Sequence, residues 1–298
     1  MKNENSRNTV IFIVCTLAIL ILYQIFVMQP QAERRKAAQQ AATEQTSTAA
    51  SDAPSMALRP ESAVFVTDRT RALGSAARVP IQTPTLRGSL SLQGGRIDDL
   101  FLLNYRETID RTSPPVELFR PQGMEHAYFA QFGWTGPNVP GGVPGPNTLW
   151  RLTGGATLTP TTPVTLTWDN GQGLRFTRVI AIDAQYLFTV TDTVANLGTQ
   201  TITIAPYGRV ERQGVPADLG KQQILHEGAI GTFGAEGRYT TDQYKYKDWG
   251  KKPRIAETST GGWLGITDKY WLAALIPPQN ERIDAQFVVT DGARYDTP

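Results

Sequence analysis

The chain has 298 residues and a formal charge of +2, from 29 Lys and Arg against 27 Asp and Glu. Residues 1–62 hold six of the basic and five of the acidic side chains, leaving 23 against 22 elsewhere, a balance that argues against a nucleic-acid partner. Cys15 is the only cysteine, so no intrachain disulfide is possible, and a single long apolar run excludes a multi-span membrane protein for this stretch.

That run is residues 9–27, TVIFIVCTLAILILYQIFV, with no charged side chain. At 1.5 Å per residue it spans about 29 Å as a helix, close to the ~30 Å hydrocarbon core. It is longer than a signal-peptide core, and bulky residues follow where a small-x-small cleavage site would be expected. We predict an uncleaved transmembrane helix over residues 9–28, with Ile11, Ile13, Leu17, Leu20, Leu22 and Phe26 as its membrane anchor. Residues 1–8 precede it. Lys2 and Arg7 before the run, and Arg34, Arg35 and Lys36 after it, leave the orientation open. Residues 29–63 are rich in Ala, Gln, Ser and Thr and almost free of large apolar side chains. Such a segment buries too little surface to offset its ordering entropy, so a disordered tether is expected.

From residue 64 to 298 the texture changes to short β-type runs with turn signals between them. Residues 164–168 alternate apolar and polar, and residues 169–173 (DNGQG) tolerate positive φ. Leu174, Phe176, Ile180 and Ile182 alternate next, with Arg178 interrupting. Tyr186, Phe188, Val190 and Val194 follow, and residues 201–205 resume the pattern. Further runs cover 88–92, 97–103, 116–119, 127–134, 224–233, 263–266, 270–276 and 285–289. Residues 137–146 (PNVPGGVPGP) predict an exposed loop. Strands this closely spaced, without helical crossovers, predict a mainly β fold, a large sandwich, and not a parallel α/β sheet.

Chemistry-bearing motifs are sparse. The two histidines, His126 and His226, and one cysteine make a structural zinc site untenable, and no nucleophile elbow, phosphate loop or dinucleotide fingerprint is present. His226 and Glu227 could act as acid and base on a sugar hydroxyl. Neighbours in a strand point to opposite faces, however, and a structural histidine at a turn is the simpler reading. Asp98 and Asp99 read as a solvated strand end in preference to a cation site. Tyr244, Tyr246 and Trp249, interleaved with Lys245 and Lys247, form a candidate partner surface, with a surface hairpin as the alternative. Trp134, Trp150, Trp168, Trp263 and Trp271 read as core. No catalytic, cofactor-binding or metal-ligating residue is assigned.

The order of motifs carries more. Residues 88–100 (GSLSLQGGRIDDL), 104–108 (NYRET), 132–134 (FGW), 163–171 (PVTLTWDNG), 176–178 (FTR), 224–228 (ILHEG), 261–263 (GGW) and 269–271 (KYW) follow one apolar helix and an Ala/Gln-rich tether. In that order they resemble the YidC family of bacterial membrane protein insertases, within the wider YidC/Oxa/Alb group, over nearly the whole chain. The resemblance implies a cytoplasmic N-terminus in the cell inner membrane and a periplasmic domain that is a galactose-mutarotase-like β-supersandwich without established enzymatic activity. It also implies cooperation with the Sec translocon, its SecDF accessory proteins, nascent inner-membrane proteins and the lipid bilayer, and no cofactor. The family's five-helix insertase core has no counterpart in these residues, so the chain is expected to be an N-terminal fragment, with the sandwich C-terminally incomplete. Two alternatives remain at this point: a membrane-tethered, aldose-epimerase-like enzyme, and a periplasmic binding or chaperone-like module.

Overall fold

Residues 68–216, 219, 226–252, 254–291 and 293–298 are described by the computed structural model. The predicted anchor, with Ile11, Ile13, Leu17, Leu20, Leu22 and Phe26, and the predicted tether lie outside these described residues. Among the described residues no helix is long and apolar enough to cross a membrane.

Helix α1 (Arg69–Leu73) opens the domain, its N-cap Asp68 accepting from the Thr70 amide at 2.8 Å. Strands β1 (Arg78–Gln82), β2 (Leu86–Ser91), β3 (Arg96–Arg106), β4 (Pro115–Phe119) and β5 (Tyr128–Thr135) follow. Next come β6 (Arg151–Gly154), β7 (Val164–Asp169), β8 (Leu174–Ile182) and β9 (Phe188–Asn196). The chain continues through β10 (Ala205–Gln213), β11 (Gly228–Ala235) and β12 (Arg238–Lys245) to a one-turn helix, α2 (Tyr246–Trp249). It then forms β13 (Arg254–Thr260), β14 (Trp263–Asp268), β15 (Trp271–Leu275), β16 (Arg282–Thr290) and β17 (Arg294–Thr297).

These strands form a nine-stranded sheet, ordered β1-β2-β3-β5-β10-β17-β16-β13 with β4 branching from β3, and two four-stranded sheets, β6-β7-β8-β9 and β12-β11-β14-β15. The architecture is therefore the mainly β sandwich that the alternation predicts. Along β5, Tyr128 and Trp134 fall on the same face by the two-residue strand period. The Tyr128 hydroxyl donates to the Ile266 carbonyl in β14 at 2.8 Å, and Trp134 packs against Phe176 in β8 with ring centroids 5.8 Å apart. Both small sheets thus cover one face of the large sheet. A single apolar cluster runs beneath them, from Val79 and Leu90 through Phe176 to Phe287 and Tyr295. Each fully buried Phe or Leu there stabilises the fold by roughly 1.5–3 kcal/mol.

The differences from the expected strands have a physical cause. Residues 201–204 alternate but form no strand, and β10 begins at Ala205. Strands β6, β10, β12, β13 and β17 are too polar to stand out by hydropathy, because much of what they carry is engaged in ion pairs or exposed, and β1, with Val79 and Ile81 buried, is masked by its shortness and by Pro80. The Pro/Gly loop over 137–146 is largely exposed but pinned. Asn170 donates to the Pro140 and Gly142 carbonyls at 2.8 and 3.2 Å, and the Trp134 amide to the Pro144 carbonyl at 3.2 Å.

Candidate functional site

Charge buried inside a sandwich marks either function or specificity. Arg178 occupies the apolar row of β8 and is fully buried. The β8–β9 register places Asp192 directly opposite. Its two carboxylate oxygens accept from Arg178 Nε and Nη2, each at 2.7 Å, and the Phe132 carbonyl accepts from Nη1 at 3.0 Å. The guanidinium lies 4.9 Å from the Trp150 ring centroid. Gly95, at φ +59°, passes so close that a Cβ there would sit 3.1 Å from Arg178 Nη1. The Asp192 carboxylate, the Phe132 carbonyl and the Trp150 face enclose the guanidinium, so this pair fixes geometry.

A second charged group lies on the opposite face of the large sheet. Asp98 and Asp99 are buried there, not solvated as the sequence suggested. Asp98 pairs with Arg78 and sits 3.7 Å from Arg96, while Asp99 pairs with Arg69 and accepts from the Ser89 hydroxyl at 2.6 Å. The register shift in β2–β3 at Ser89/Leu90 turns these adjacent carboxylates toward that face, where arginines from α1, β1 and β3 neutralise them. Further along, Arg209 bonds Gln131 at 2.8 Å and pairs with both Glu211 and Asp296 at 3.1 Å. Burial, with Glu211 alongside, raises the Asp296 pKa to about 6. Among the described residues no three His, Cys, Asp or Glu side chains are grouped to hold a metal.

The candidate surface at Tyr244, Tyr246 and Trp249 requires correction. Tyr246 and Trp249 are 2% and 0% exposed, and Tyr244 is partly buried. One turn of α2 brings both aromatics inward. Trp249 meets Phe287 and Tyr295 at centroid distances of 5.9 and 5.1 Å, and Tyr246 meets Tyr295 edge-on at 4.8 Å. The Tyr246 hydroxyl donates to Asp268 at 2.6 Å, and Asp268 pairs with Arg212 at 2.5 Å. Burial pushes the Tyr246 pKa well above 10. These rings close the end of a sheet. Lys247 and Asp248 take the outer side of the turn.

The two histidines do different things. His226 Nε2 donates to the Ala229 carbonyl at 2.8 Å, which fixes its tautomer, and burial lowers its pKa. It secures the start of β11, consistent with the structural reading. His126, at φ 58°, lines a cavity of about 150 Å³ with Glu117, Leu118, Arg120, Tyr128 and Arg212. Arg120 faces Glu117 at 3.3 Å and Arg212 is held by Asp268, so the cavity presents an imidazole, two engaged cations and a carboxylate already paired with Arg69 and Arg120. His226 is not among its lining residues.

One exposed feature escaped the sequence reading. Tyr105, at the end of β3, contacts the Trp271 ring at the start of β15 with centroids 4.8 Å apart, and lies beside Tyr186 in the β8–β9 turn. Tyr105 and Tyr186 are 45% and 42% exposed. Trp150 is core, as expected, and Trp134 and Trp168 pack onto Phe176, but Trp271 reaches this half-open row. Only the convergence of three sheets at one end reveals it, since each ring belongs to a different sheet.

Comparison with known proteins accounts for the chain as a whole. A family model described as the YidC periplasmic domain matches residues 78–297. The chain is 51% identical over 300 residues to a membrane protein insertase YidC of Caulobacter vibrioides (strain NA1000 / CB15N), covering 99% of this chain and 48% of that protein. It is 41% identical to the YidC of Brucella suis biovar 1 (98% of this chain, 51% of that protein) and 44% identical to that of Nitrobacter hamburgensis (96% and 47%). The chain spans about half the length of these curated relatives. With the apolar run, the ordered motifs and the described sandwich all inside the aligned region, the chain belongs to the YidC membrane protein insertase family, and its described residues form that family's periplasmic domain.

Proposed function

We propose that this chain is the anchoring and periplasmic part of an insertase that integrates and folds inner-membrane proteins, alone or with the Sec translocon and SecDF. The observation that carries the reading is 51% identity to a named insertase across 99% of this chain. In this arrangement residues 1–8 are cytoplasmic, 9–28 cross the inner membrane, 29–63 tether the domain, and 64–298 form the periplasmic sandwich. The sandwich presents a surface and catalyses nothing. His226 is committed to a backbone carbonyl, and the carboxylate that lines the His126 cavity, Glu117, is paired with Arg69 and Arg120, which disfavours the acid–base chemistry of the aldose-epimerase reading.

The test is complementation in cells depleted of their insertase. This chain alone is expected to leave insertion unrestored. The same chain joined to the C-terminal half of the Caulobacter relative is expected to restore it. Rescue by the chain alone, or failure of the stably expressed fusion, would overturn the assignment. Crosslinking from the domain in the rescued cells then identifies contacts with Sec components.

A further inference from the structure

The aromatic row at Tyr105, Tyr186 and Trp271 lies at one end of the sandwich, and the three connections that carry these rings share an unusual chemistry. The loop leaving β3 carries Ile109, which is fully exposed at 105%. The β8–β9 turn carries Leu187, 55% exposed, directly after Tyr186. The β14–β15 turn carries Tyr270, 60% exposed, directly before Trp271. Each turn therefore ends in one apolar or aromatic tip that contributes little to the core. Behind the tips stand rings with polar handles, the hydroxyls of Tyr105 and Tyr186 and the indole of Trp271. Side chains with an apolar body and a wet end favour the boundary between hydrocarbon and water. The charges around them are exposed and of mixed sign, Arg106 and Arg111 with Glu107 and Asp110, as suits a headgroup layer containing both charges.

We propose that this end of the sandwich rests in the headgroup layer of the bilayer, with Ile109, Leu187 and Tyr270 as its insertion tips. The inference rests on the reading that residues 9–28 cross the membrane. The 39 residues numbered 29–67 then separate that helix from Asp68, where the described domain begins. Their contour length is at most ~140 Å, so the membrane surface is the one partner that covalent attachment keeps within reach at all times. A protein client has no such standing proximity. Three shallow tips without a basic cluster give weak, reversible contact, dependent on the tether for occupancy.

The experiment uses the full chain in phosphatidylethanolamine–phosphatidylglycerol nanodiscs, with Cys15→Ser and one nitroxide label per variant. Labels at Ile109→Cys and Leu187→Cys report the tips, Gln243→Cys on exposed β12 reports water, and Leu17→Cys reports the anchor. The tip labels are expected to show an oxygen-to-nickel accessibility ratio several-fold above that of Gln243. Adding Ile109→Asp, at a position with no packing to lose, is expected to lower the ratio at Leu187. Tip labels as aqueous as Gln243, with Leu17 in the bilayer, overturn the proposal and leave the anchor reading intact. An aqueous Leu17 label overturns both. Tip labels that stay aqueous until a hydrophobic peptide is added overturn it in favour of a polypeptide surface.

Discussion

The two four-stranded sheets cover the same face of the large sheet, yet they fill the space beneath them in different ways. Under β6–β9 the centre is ionic, with Arg178 held between Asp192, the Phe132 carbonyl and the face of Trp150. Under β11, β12, β14 and β15 it is aromatic, with Tyr246 stacked near Trp249, both meeting Tyr295 and Trp249 meeting Phe287 at steeper angles, and the Asp268–Arg212 pair at the margin. A bidentate pair has one good alignment, whereas packed rings can trade volume among themselves. The first sheet is therefore specified by register. A one-residue slip of β9 would leave Arg178 buried without its partner. The second is specified by shape.

This contrast can be broken by substitution. Asp192→Ala leaves a buried, uncompensated guanidinium and is expected to cost about 3–5 kcal/mol in a denaturant titration. Arg178→Met with Asp192→Leu removes both charges and is expected to recover most of that loss. A double variant as unstable as the single one would show that volume, not charge, holds the first sheet. On the aromatic side, Tyr246→Phe keeps the ring and removes one hydroxyl from Asp268, for roughly 1.5–3 kcal/mol. Should that change match Asp192→Ala, the two regions would not differ in kind.

The opposite face of the large sheet sharpens the comparison through pH. The Asp296 pKa is raised from 3.8 to about 6. The folded state therefore keeps a proton that the unfolded chain releases, and the associated stability is fully present below pH 3.8 and lost as pH rises through about 6. Asp296→Asn is expected to flatten that part of the stability–pH curve, with a gain at neutral pH on the order of 1–2 kcal/mol. An unchanged slope would place the pH sensitivity elsewhere. Smallest of all, Ile109→Asp is expected to move stability within about 0.5 kcal/mol, because nothing packs on that side chain.

Much of the ionic region was legible in the sequence. Arg178 stands in the row of Leu174, Phe176, Ile180 and Ile182, and Asp192 stands in the row of Phe188, Val190 and Val194. A hairpin turning at Asp183 brings the two rows, and so the two charges, face to face. The aromatic region was not legible. Four residues of α2 are too few to display a period, and Lys245, Lys247 and Asp248 give the segment a surface texture while Tyr246 and Trp249 turn inward. Asp98 and Asp99 misled for a related reason. Adjacent carboxylates look solvated until the arginines of α1 and β1, distant in sequence, arrive beside them.

The order of strands also governs when this protein can finish folding. Strand β17 lies between β10 and β16, paired with both, and the two flanking strands meet only through it. Synthesis delivers residues 294–297 after the other described strands of the sheet. Until they emerge, the half built on β1, β2, β3, β5 and β10 and the half built on β13 and β16 have no hydrogen-bonded join and leave open edges. Residues 294–297 act as a zip fastener. Any machine that holds the chain back near residue 290 holds the whole domain in an unclosed state, and releasing it joins the halves in one step.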